Sequence, residues 1–163
     1  MKPYLLGIDI GTSACKVAVF EKSGTVVAAA NGDYPVYYPK EGWAEQDPEE
    51  WWSAVCQAVK KAIQKAGIAP EEIAGIGIDG QSWSAIAMDK DGNVLTNTPI
   101  WMDTRAQSIC DRLNEEIGAE QIFEVSGNSL QPSYTTAKIL WYKENLPEVY
   151  QLSLIHISEP TRL

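Results

Sequence analysis

An apolar run near the amino terminus ends in a carboxylate and a glycine turn, and this stretch constrains the fold more than any other. Residues 4–10 read Tyr-Leu-Leu-Gly-Ile-Asp-Ile, and a Gly-Thr-Ser turn follows at residues 11–13. Residues 16–20 and 25–30 are again apolar, with a Glu-Lys-Ser-Gly turn between them. Strands separated by short glycine turns are typical of an antiparallel meander. The sequence therefore predicts a three-stranded sheet whose first strand delivers Asp9 to its first turn.

A helix and further strands are predicted to extend this sheet. Asp47 and Pro48 are a strong helix start, and Gly67 ends the helical pattern that follows. Residues 73–79 are predicted to be a buried parallel strand, and residues 84–95 a strand and its return. Apolar spacing then predicts three helices, over residues 105–117, 119–125 and 134–145. This order of strands and helices indicates an α/β fold, a mixed sheet with helices packed on it.

The charge and the scarcity of histidine exclude several kinds of chemistry. The formal net charge of -9 over 163 residues argues against a nucleic-acid-binding surface, which is normally basic. The only histidine is His156, close to the end of the chain. Histidine-based triads and histidine-ligated metals are therefore not expected in the body of the chain. Its chemistry must depend on carboxylates, hydroxyls, Lys, Arg and a hard metal ion.

The cysteine content and the apolar segments bear on the compartment. The three cysteines, Cys15, Cys56 and Cys110, are widely spaced, which is typical of a reducing cytosol. No segment is long enough to span a membrane, and a signal peptide is not expected. The sequence thus predicts a cytoplasmic protein without a membrane partner.

The turn after the first strand is a candidate site for a Mg²⁺–phosphate group. The N–H groups and hydroxyls of Gly11, Thr12 and Ser13 can meet phosphate oxygens, and Asp9 can hold the metal or its waters. The alternative is a simple hairpin turn. A carboxylate beside a core strand is costly unless it is used or paired, which favours a functional role for Asp9.

Several separated motifs occur in one order along the chain. They are the turn at residues 7–13, Gly-Trp-Ala-Glu-Gln-Asp-Pro at 42–48, Gly-Gln-Ser-Trp-Ser-Ala at 80–85, Ile-Trp-Met-Asp-Thr-Arg at 100–105, and a Lys- and Trp-containing segment at 133–145. In these motifs the chain resembles the N-terminal part of the FGGY-family sugar kinases, and most of all the xylulokinases.

The resemblance implies a fold and an activity. The fold would be the ribonuclease-H-like fold of the actin/hexokinase/Hsp70 superfamily. The activity would be transfer of the γ-phosphate of ATP to a hydroxyl of a ketopentose such as xylulose. Asp9 would be linked to Mg²⁺, and Gly11, Thr12 and Ser13 would cradle the phosphates. The implied partners are a small-molecule sugar and ATP, with no nucleic acid and no membrane; a homodimer of the full-length protein is left open.

The resemblance also places the sugar at two segments. The candidate contacts are Gln81, Ser82, Trp83, Trp101, Asp103 and Arg105. An indole can stack on a sugar face, amides and carboxylates can hydrogen-bond its hydroxyls, and a guanidinium can orient a carboxylate or a phosphate. Ligands often bind at the carboxyl ends of strands in open α/β sheets. The alternatives are a packed tryptophan beside a polar turn, and a helix cap with a surface ion pair.

Two further residues are left open, and two positions depart from the family pattern. Asp79 either belongs to the site or caps a turn, and Lys138 is either a signature residue with a role or part of a solvated helix face. Ser82 and Trp83 stand where xylulokinases typically have a Met-His pair, and Tyr142 stands where an aliphatic residue or Phe is usual. Gluconate, ribulose or glycerol therefore remain alternative acceptors, and a non-catalytic sugar- or ATP-binding sensor remains an alternative class.

The end of the chain differs in character from the rest. Residues 1–151 are expected to form the kinase N-terminal domain, incomplete at its C-terminus. Residues 152–163 look like translated sequencing-adapter read-through and are expected to be a non-native tail; the alternative is a divergent genuine terminus. The family's catalytic base and most of its adenosine pocket lie in a part not present here. The chain alone is therefore expected to have negligible kinase activity.

Overall fold

The computed structural model describes residues 3–153, which divide into two compact units. Unit 1 comprises residues 3–36 and 49–81, and unit 2 comprises residues 37–48 and 82–153. The strands are β1 (Tyr4–Ile10), β2 (Ala14–Glu21), β3 (Val26–Asp33), β4 (Glu45–Gln46), β5 (Ile73–Gly80) and β6 (Thr98–Pro99). The α-helices are α1 (Pro48–Ala66), α2 (Gln107–Leu113), α3 (Ala119–Ser126), α4 (Thr135–Asn145) and α5 (Pro147–Leu152).

Unit 1 is built on a mixed four-stranded sheet in the order β3-β2-β1-β5. Strand β1 pairs antiparallel with β2 and parallel with β5, and β2 pairs antiparallel with β3. The predicted meander is confirmed, and so is the parallel pairing of residues 73–79, but the predicted burial of this strand is wrong, because β5 lies at the edge of the sheet and is largely exposed. The connection from β3 to β5 runs through α1, as a parallel neighbour of β1 requires.

Helix α1 packs on this sheet through small side chains. Ala54 and Ala62 are buried, and Ala54 lies so close to Gly32 of β3 that a Cβ on Gly32 would be 2.9 Å from the Ala54 carbonyl oxygen. The predicted ends of the helix are confirmed. It begins at Pro48, and Gly67, with φ of +66°, follows its last residue. Glycine suits that position because it adopts a left-handed backbone without a steric cost.

The edge strand β5 leaves apolar side chains uncovered. Ile76 and Ile78 are 61% and 70% exposed, although they stand in register with the buried Leu6 and Ile8 of β1. The apolar face of the sheet thus continues onto a strand with a free edge. Such an edge is a site of self-association.

Unit 2 combines the two-stranded β4–β6 sheet with helices α2 to α5. Its buried core consists of Ala85, Ala87, Ala106, Ile109, Cys110, Ala137, Trp141 and Tyr142. The alanines leave room for the two large rings of α4, whose planes meet edge to face with centroids 6.0 Å apart.

Two predictions for unit 2 are wrong in detail, and three short elements were missed. The single helix over residues 105–117 is interrupted, because α2 ends at Leu113 and a π-helical segment, Asn114–Gly118, joins it to α3. The hairpin over residues 84–95 is reduced to one isolated Met88–Val94 bridge. Strands β4 and β6 and helix α5 were not predicted, because elements this short show no hydrophobic period.

The last residues of the chain fall partly outside the described range. Of the predicted tail at residues 152–163, only two positions are described. Leu152 ends α5, and Ser153 is buried, with its hydroxyl donating to the Tyr150 carbonyl oxygen at 3.1 Å. The prediction that this tail is non-native otherwise lies outside the described residues.

Residues 3–153 include five α-helices and three cysteines. None of the helices there combines the length and the apolar content that crossing a bilayer requires. The cysteines are free thiols, of which Cys15 and Cys110 are buried and Cys56 is half-buried.

Candidate functional site

The glycine turn between β1 and β2 is held by its own main chain and by one tyrosine. The Gly11 N–H donates to the Ala14 carbonyl oxygen at 3.1 Å, and the Tyr34 hydroxyl donates to the Gly11 carbonyl oxygen at 2.6 Å. A Cβ on Gly11 would lie 3.2 Å from the Ala14 carbonyl oxygen, so a larger residue would strain the turn. Ser13 is exposed and Thr12 is half-buried. A fixed turn with a hydroxyl at the surface suits a phosphate group.

Asp9 stands in a row of charged side chains across the sheet. It is in register with Lys16 of β2 and with Asp79 of β5, so the three side chains emerge on the same face. All three residues are exposed. Two neighbouring carboxylates repel each other unless a cation offsets their charge.

Proteins usually bind Mg²⁺ through one or two carboxylates together with phosphate oxygens and water, and Asp9 and Asp79 would supply the carboxylates of such a site. Among residues 3–153, no group of three or more His, Cys, Asp or Glu side chains is placed to hold a metal. One oxygen of Asp79 already accepts the N–H of Gly80 at 2.8 Å. Asp9 and the second oxygen of Asp79 are therefore the carboxylate groups of this row that could meet an ion or its waters.

Tyr34 is a residue of this site that the sequence did not reveal. Burial raises the pKa of its hydroxyl to about 12, and Cys15 and Asp9 act in the same direction. The phenol therefore keeps its proton and remains a donor to Gly11. Residue 34 lies in a Tyr- and Pro-rich stretch without a helix or strand pattern, and its partner lies 23 positions away along the chain, beyond the reach of local patterns.

The sheet face that carries Asp9 borders an open concavity of about 790 Å³. Small residues, among them Gly7, Ala18 and Gly77, line much of it. A Cβ on Gly7 would lie 3.0 Å from the ring of Phe20, so this position must stay small. The concavity leaves space in front of the two carboxylates for an ion and phosphate groups.

Gln81 belongs to unit 1, whereas the other candidate sugar contacts belong to unit 2. Its N–H donates to the Ile10 carbonyl oxygen at 2.8 Å, which ties the end of β5 to the end of β1. The preceding Gly80 allows this close approach, because a Cβ there would lie 3.0 Å from the same oxygen.

In unit 2, Asp103 is completely buried and its carboxylate is fully engaged by the protein. One oxygen accepts the N–H of Ala44 at 2.7 Å, and the other accepts the N–H of Arg105 at 2.9 Å. The Arg105 side chain adds a further contact, with its terminal nitrogen 2.8 Å from the carboxylate. Asp103 thus joins the 42–48 motif to the 100–105 motif.

Arg105 is enclosed on every side. Its guanidinium lies over the ring of Trp43 at 3.8 Å and near that of Trp141 at 5.0 Å, and it pairs with Glu45 at 2.7 Å. Only 4% of its side-chain surface is exposed. A planar guanidinium between aromatic rings and two carboxylates is an arrangement that Lys cannot reproduce.

This burial changes the role that Asp103 and Arg105 are expected to have. The surface ion pair considered from sequence is instead a buried one. A direct contact of either residue with a sugar stays a prediction, and it would require the hydrogen bonds just described to open. The geometry supports a bracing role behind the site, in which Glu45, Trp43 and Trp141 take part. The sequence motif contained Glu45, but nothing local linked it to Arg105.

Trp83 has an unusual backbone. Its φ is +69°, and it is the one residue other than glycine with a positive φ in the described part of the chain. A bulky side chain in the left-handed region costs about 1–2 kcal/mol. Its carbonyl oxygen accepts a hydrogen bond from the Nζ of Lys138 at 2.9 Å, and the same Nζ donates to the Ile100 carbonyl oxygen at 2.8 Å.

The indole of Trp83 faces a second open space, of about 490 Å³, within unit 2. Tyr134 lies beside it with ring centroids 5.0 Å apart, and Thr135 and Leu130 also line the cavity. Trp83 is 49% exposed, and Trp101 is 44% exposed. Ser82 is also exposed. The indoles and the Ser82 hydroxyl are therefore the acceptor-side candidates of unit 2 that a ligand can reach directly.

A mixed sheet with a carboxylate beside its first glycine turn, and helices following, defines an α/β protein of the ribonuclease-H-like kind. Residues 4–157 match the FGGY family of carbohydrate kinases, N-terminal domain. The chain therefore belongs to the FGGY family.

Three similar proteins are named for three different acceptors. Glycerol kinase 2 of Thermotoga maritima is 38% identical over 90% of this chain and 30% of its own length. The xylulose kinase of Bacillus subtilis is 32% identical over 94% of this chain and 31% of its own. The crystal structure of gluconate kinase from Lactobacillus acidophilus has a TM-score of 0.84 and 33% identity, over 92% of this chain and 30% of its own. The chain thus spans about 30% of the length of these relatives.

Proposed function

We propose that this chain is the N-terminal domain of an ATP- and Mg²⁺-dependent carbohydrate kinase. The observation that carries the proposal is the exposed Asp9 beside a fixed glycine turn, in front of an open concavity. Phosphoryl transfer depends on positioning and on stabilising charge, and a carboxylate-held cation next to backbone donors supplies both.

On the phosphate side, each residue has a proposed role. Asp9 holds Mg²⁺ or its waters, and the ion would offset the charge of the transferring phosphoryl group. Gly11, Thr12 and Ser13 offer N–H groups and hydroxyls to phosphate oxygens. Tyr34 keeps the turn closed from behind.

On the acceptor side, Gln81, Ser82, Trp83 and Trp101 are the proposed contacts. The two indoles offer apolar faces to the sugar ring or carbon chain, and the amide and hydroxyl groups would pair with its hydroxyls. Asp103 and Arg105 brace the segment that carries Trp101. None of the described residues is proposed as the base that takes the proton of the acceptor hydroxyl. That base would come from the remaining length of a full-size kinase, and the chain alone is expected to transfer no phosphate.

The proposed acceptor is a ketopentose such as xylulose. The xylulose kinase among the relatives supports this choice, and the glycerol and gluconate kinases keep those acceptors as the alternatives. The Ser82–Trp83 pair is the feature of this chain with which to test them, because an indole at position 83 changes the shape and polarity of the pocket.

The test begins with the gene. Its reading frame is sequenced through the codons for Tyr150 to Leu163, and the full-length product is assayed with ATP, Mg²⁺ and D-xylulose, D-ribulose, glycerol or gluconate. Phosphorylation of one acceptor, and its loss in Asp9→Asn, would support the proposal. Binding of sugar and ATP without turnover would favour a sensor. A frame that ends at Leu163 would exclude catalysis by this gene product alone.

A further inference from the structure

Lys138 is a buried cation whose side-chain amine donates hydrogen bonds to two main-chain oxygens. It lies in α4 with no exposed surface, and its Nζ is 2.9 Å from the Trp83 carbonyl oxygen and 2.8 Å from that of Ile100. Burying a lysine costs free energy that a methionine of similar size would not. A helix position that only needed to fill the core would be better served by methionine.

The two carbonyl groups belong to the segments that carry the proposed acceptor contacts. Trp83 contributes one directly, and Ile100 immediately precedes Trp101. The Ile100 oxygen also accepts the N–H of Asp103 at 3.0 Å, so one oxygen joins Lys138 to the braced segment. A single amine thus connects the two acceptor segments of unit 2.

The position of Trp83 explains what such a link is for. A tryptophan does not hold a left-handed backbone by itself, and surrounding contacts must fix it there. Lys138 bonds the carbonyl of this same residue, and the indole of Trp83 lies against Tyr134, the residue just before α4. The main chain and the ring of Trp83 are therefore both fixed against one end of one helix.

The electrostatic setting is compatible with this role. Burial lowers the pKa of Lys138 to about 8, while the nearby Asp103 raises it and Arg105 lowers it. A neutral amine retains two N–H donors, which is enough for two carbonyl oxygens. The link is therefore available on both sides of that pKa.

We propose that Lys138 is a positioning residue, which holds Trp83 in its left-handed conformation through the carbonyls of Trp83 and Ile100 and so sets the aromatic wall of the acceptor site. The acceptor part of this inference rests on the proposed function. The positional part does not, and it can be tested on the 163-residue chain itself.

The first experiment follows the indole N–H signals of the ¹⁵N-labelled chain, which has six tryptophans. The Trp83 signal is the one that disappears in Trp83→Phe. Lys138→Met is expected to shift or broaden it, whereas Lys143→Met, an exposed lysine of the same helix, is expected to leave it unchanged. An unmoved Trp83 signal in a folded Lys138→Met chain would overturn the proposal.

A second variant covers the case in which Lys138→Met does not fold. Glycine adopts the left-handed region without cost, so Trp83→Gly should restore folding in the Lys138→Met background. If the double variant also stays unfolded, Lys138 serves the core and not residue 83, and the proposal fails.

The acceptor part is tested in the full-length product. Lys138→Met is expected to raise the KM for the acceptor about tenfold and to leave the KM for ATP unchanged, and Lys143→Met to change neither. Equal changes in both KM values would indicate a general structural defect and would contradict the inference. Absence of any phosphorylated acceptor in the parent would instead refute the proposed function, and the indole result would still stand.

Discussion

The two units carry their key carboxylates in opposite surroundings. Asp9 in unit 1 is exposed, with another carboxylate and a lysine beside it on an open sheet face. Asp103 in unit 2 has no exposed surface and is bound by Ala44 and Arg105. Both lie in motifs that a sequence reader would mark as functional. Asp9 is thus available to a ligand, whereas Asp103 stabilises the structure around a candidate site.

This contrast has an energetic consequence. A buried charge that loses its partner is left without solvation, so removing one member of such a pair is strongly destabilising. An exposed carboxylate next to another is already solvated and repelled, so its removal changes the stability of the fold little. Substitutions at Asp9 and Asp103 should therefore affect different properties of the protein.

The largest effect is expected for Asp103→Ala. The substitution leaves the buried Arg105 with one carboxylate partner, Glu45, and leaves the Ala44 N–H without its acceptor. We expect a loss of about 3–5 kcal/mol in the free energy of unfolding, measured by urea denaturation. Arg112→Ala, which removes an exposed ion pair with Glu144, is the control and should cost little. Similar losses in the two variants would show that the buried Asp103–Arg105 network stabilises the fold no more than an exposed ion pair does.

The next effect is a pH dependence of stability. The pKa of Lys138 is about 8 in the folded chain, below its ordinary value. Between the two values the unfolded chain binds more protons than the folded one, so this residue adds stability as the pH rises through that window. From pH 8 to pH 9.5 the wild type should gain about 1.5 kcal/mol relative to Lys138→Met.

The comparison with Lys138→Met is essential, because other groups titrate in the same pH range. Burial raises the pKa values of the Cys15 and Cys110 thiols. Their contribution to the free energy of unfolding therefore falls as the pH rises through the range in which the thiols of the unfolded chain ionise. Their contribution is common to both proteins and cancels in the difference. Parallel pH curves for the two proteins would refute the buried-amine interpretation.

The sequence predicted unit 1 better than unit 2, and the reason is physical. The meander, α1 and β5 have strong local patterns, and Asp9 lies within the first strand of the meander. In unit 2 the decisive contacts join residues far apart along the chain. Arg105 meets Glu45 60 positions away, and Lys138 meets Trp83 55 positions away.

No local pattern distinguishes such pairs from ordinary surface charges. A lysine on a helix suggests a solvated face unless its partner is known to be a main-chain oxygen of another segment. The left-handed backbone of Trp83 was equally hidden, because tryptophan gives no signal for it. The fold of the sheet could thus be predicted, whereas the frame of the acceptor side required the structure.

A smaller effect is expected at β5, the edge strand of unit 1. Ile78→Lys places a charge on an exposed edge strand and should change the free energy of unfolding by no more than about 0.5 kcal/mol. It should reduce self-association of the chain at high concentration, measured by sedimentation velocity. Val125→Lys makes the same chemical change on α3, where Val125 is 85% exposed. An equal reduction by both variants would mean that added charge, and not the strand edge, is responsible.

The smallest change in stability is expected for Asp9→Asn, and it completes the comparison with Asp103. Because Asp9 is exposed and adjoins Asp79, its neutralisation should alter the free energy of unfolding by less than about 0.5 kcal/mol. In the full-length product, the loss of the proposed metal-holding carboxylate should lower turnover about 100-fold or more. Urea denaturation of the chain and Mg²⁺-dependent assays of the full-length product measure the two quantities separately. A destabilisation as large as that of Asp103→Ala would mean that Asp9 stabilises the fold. An unchanged turnover would mean that Asp9 does not hold the metal ion at the phosphate site.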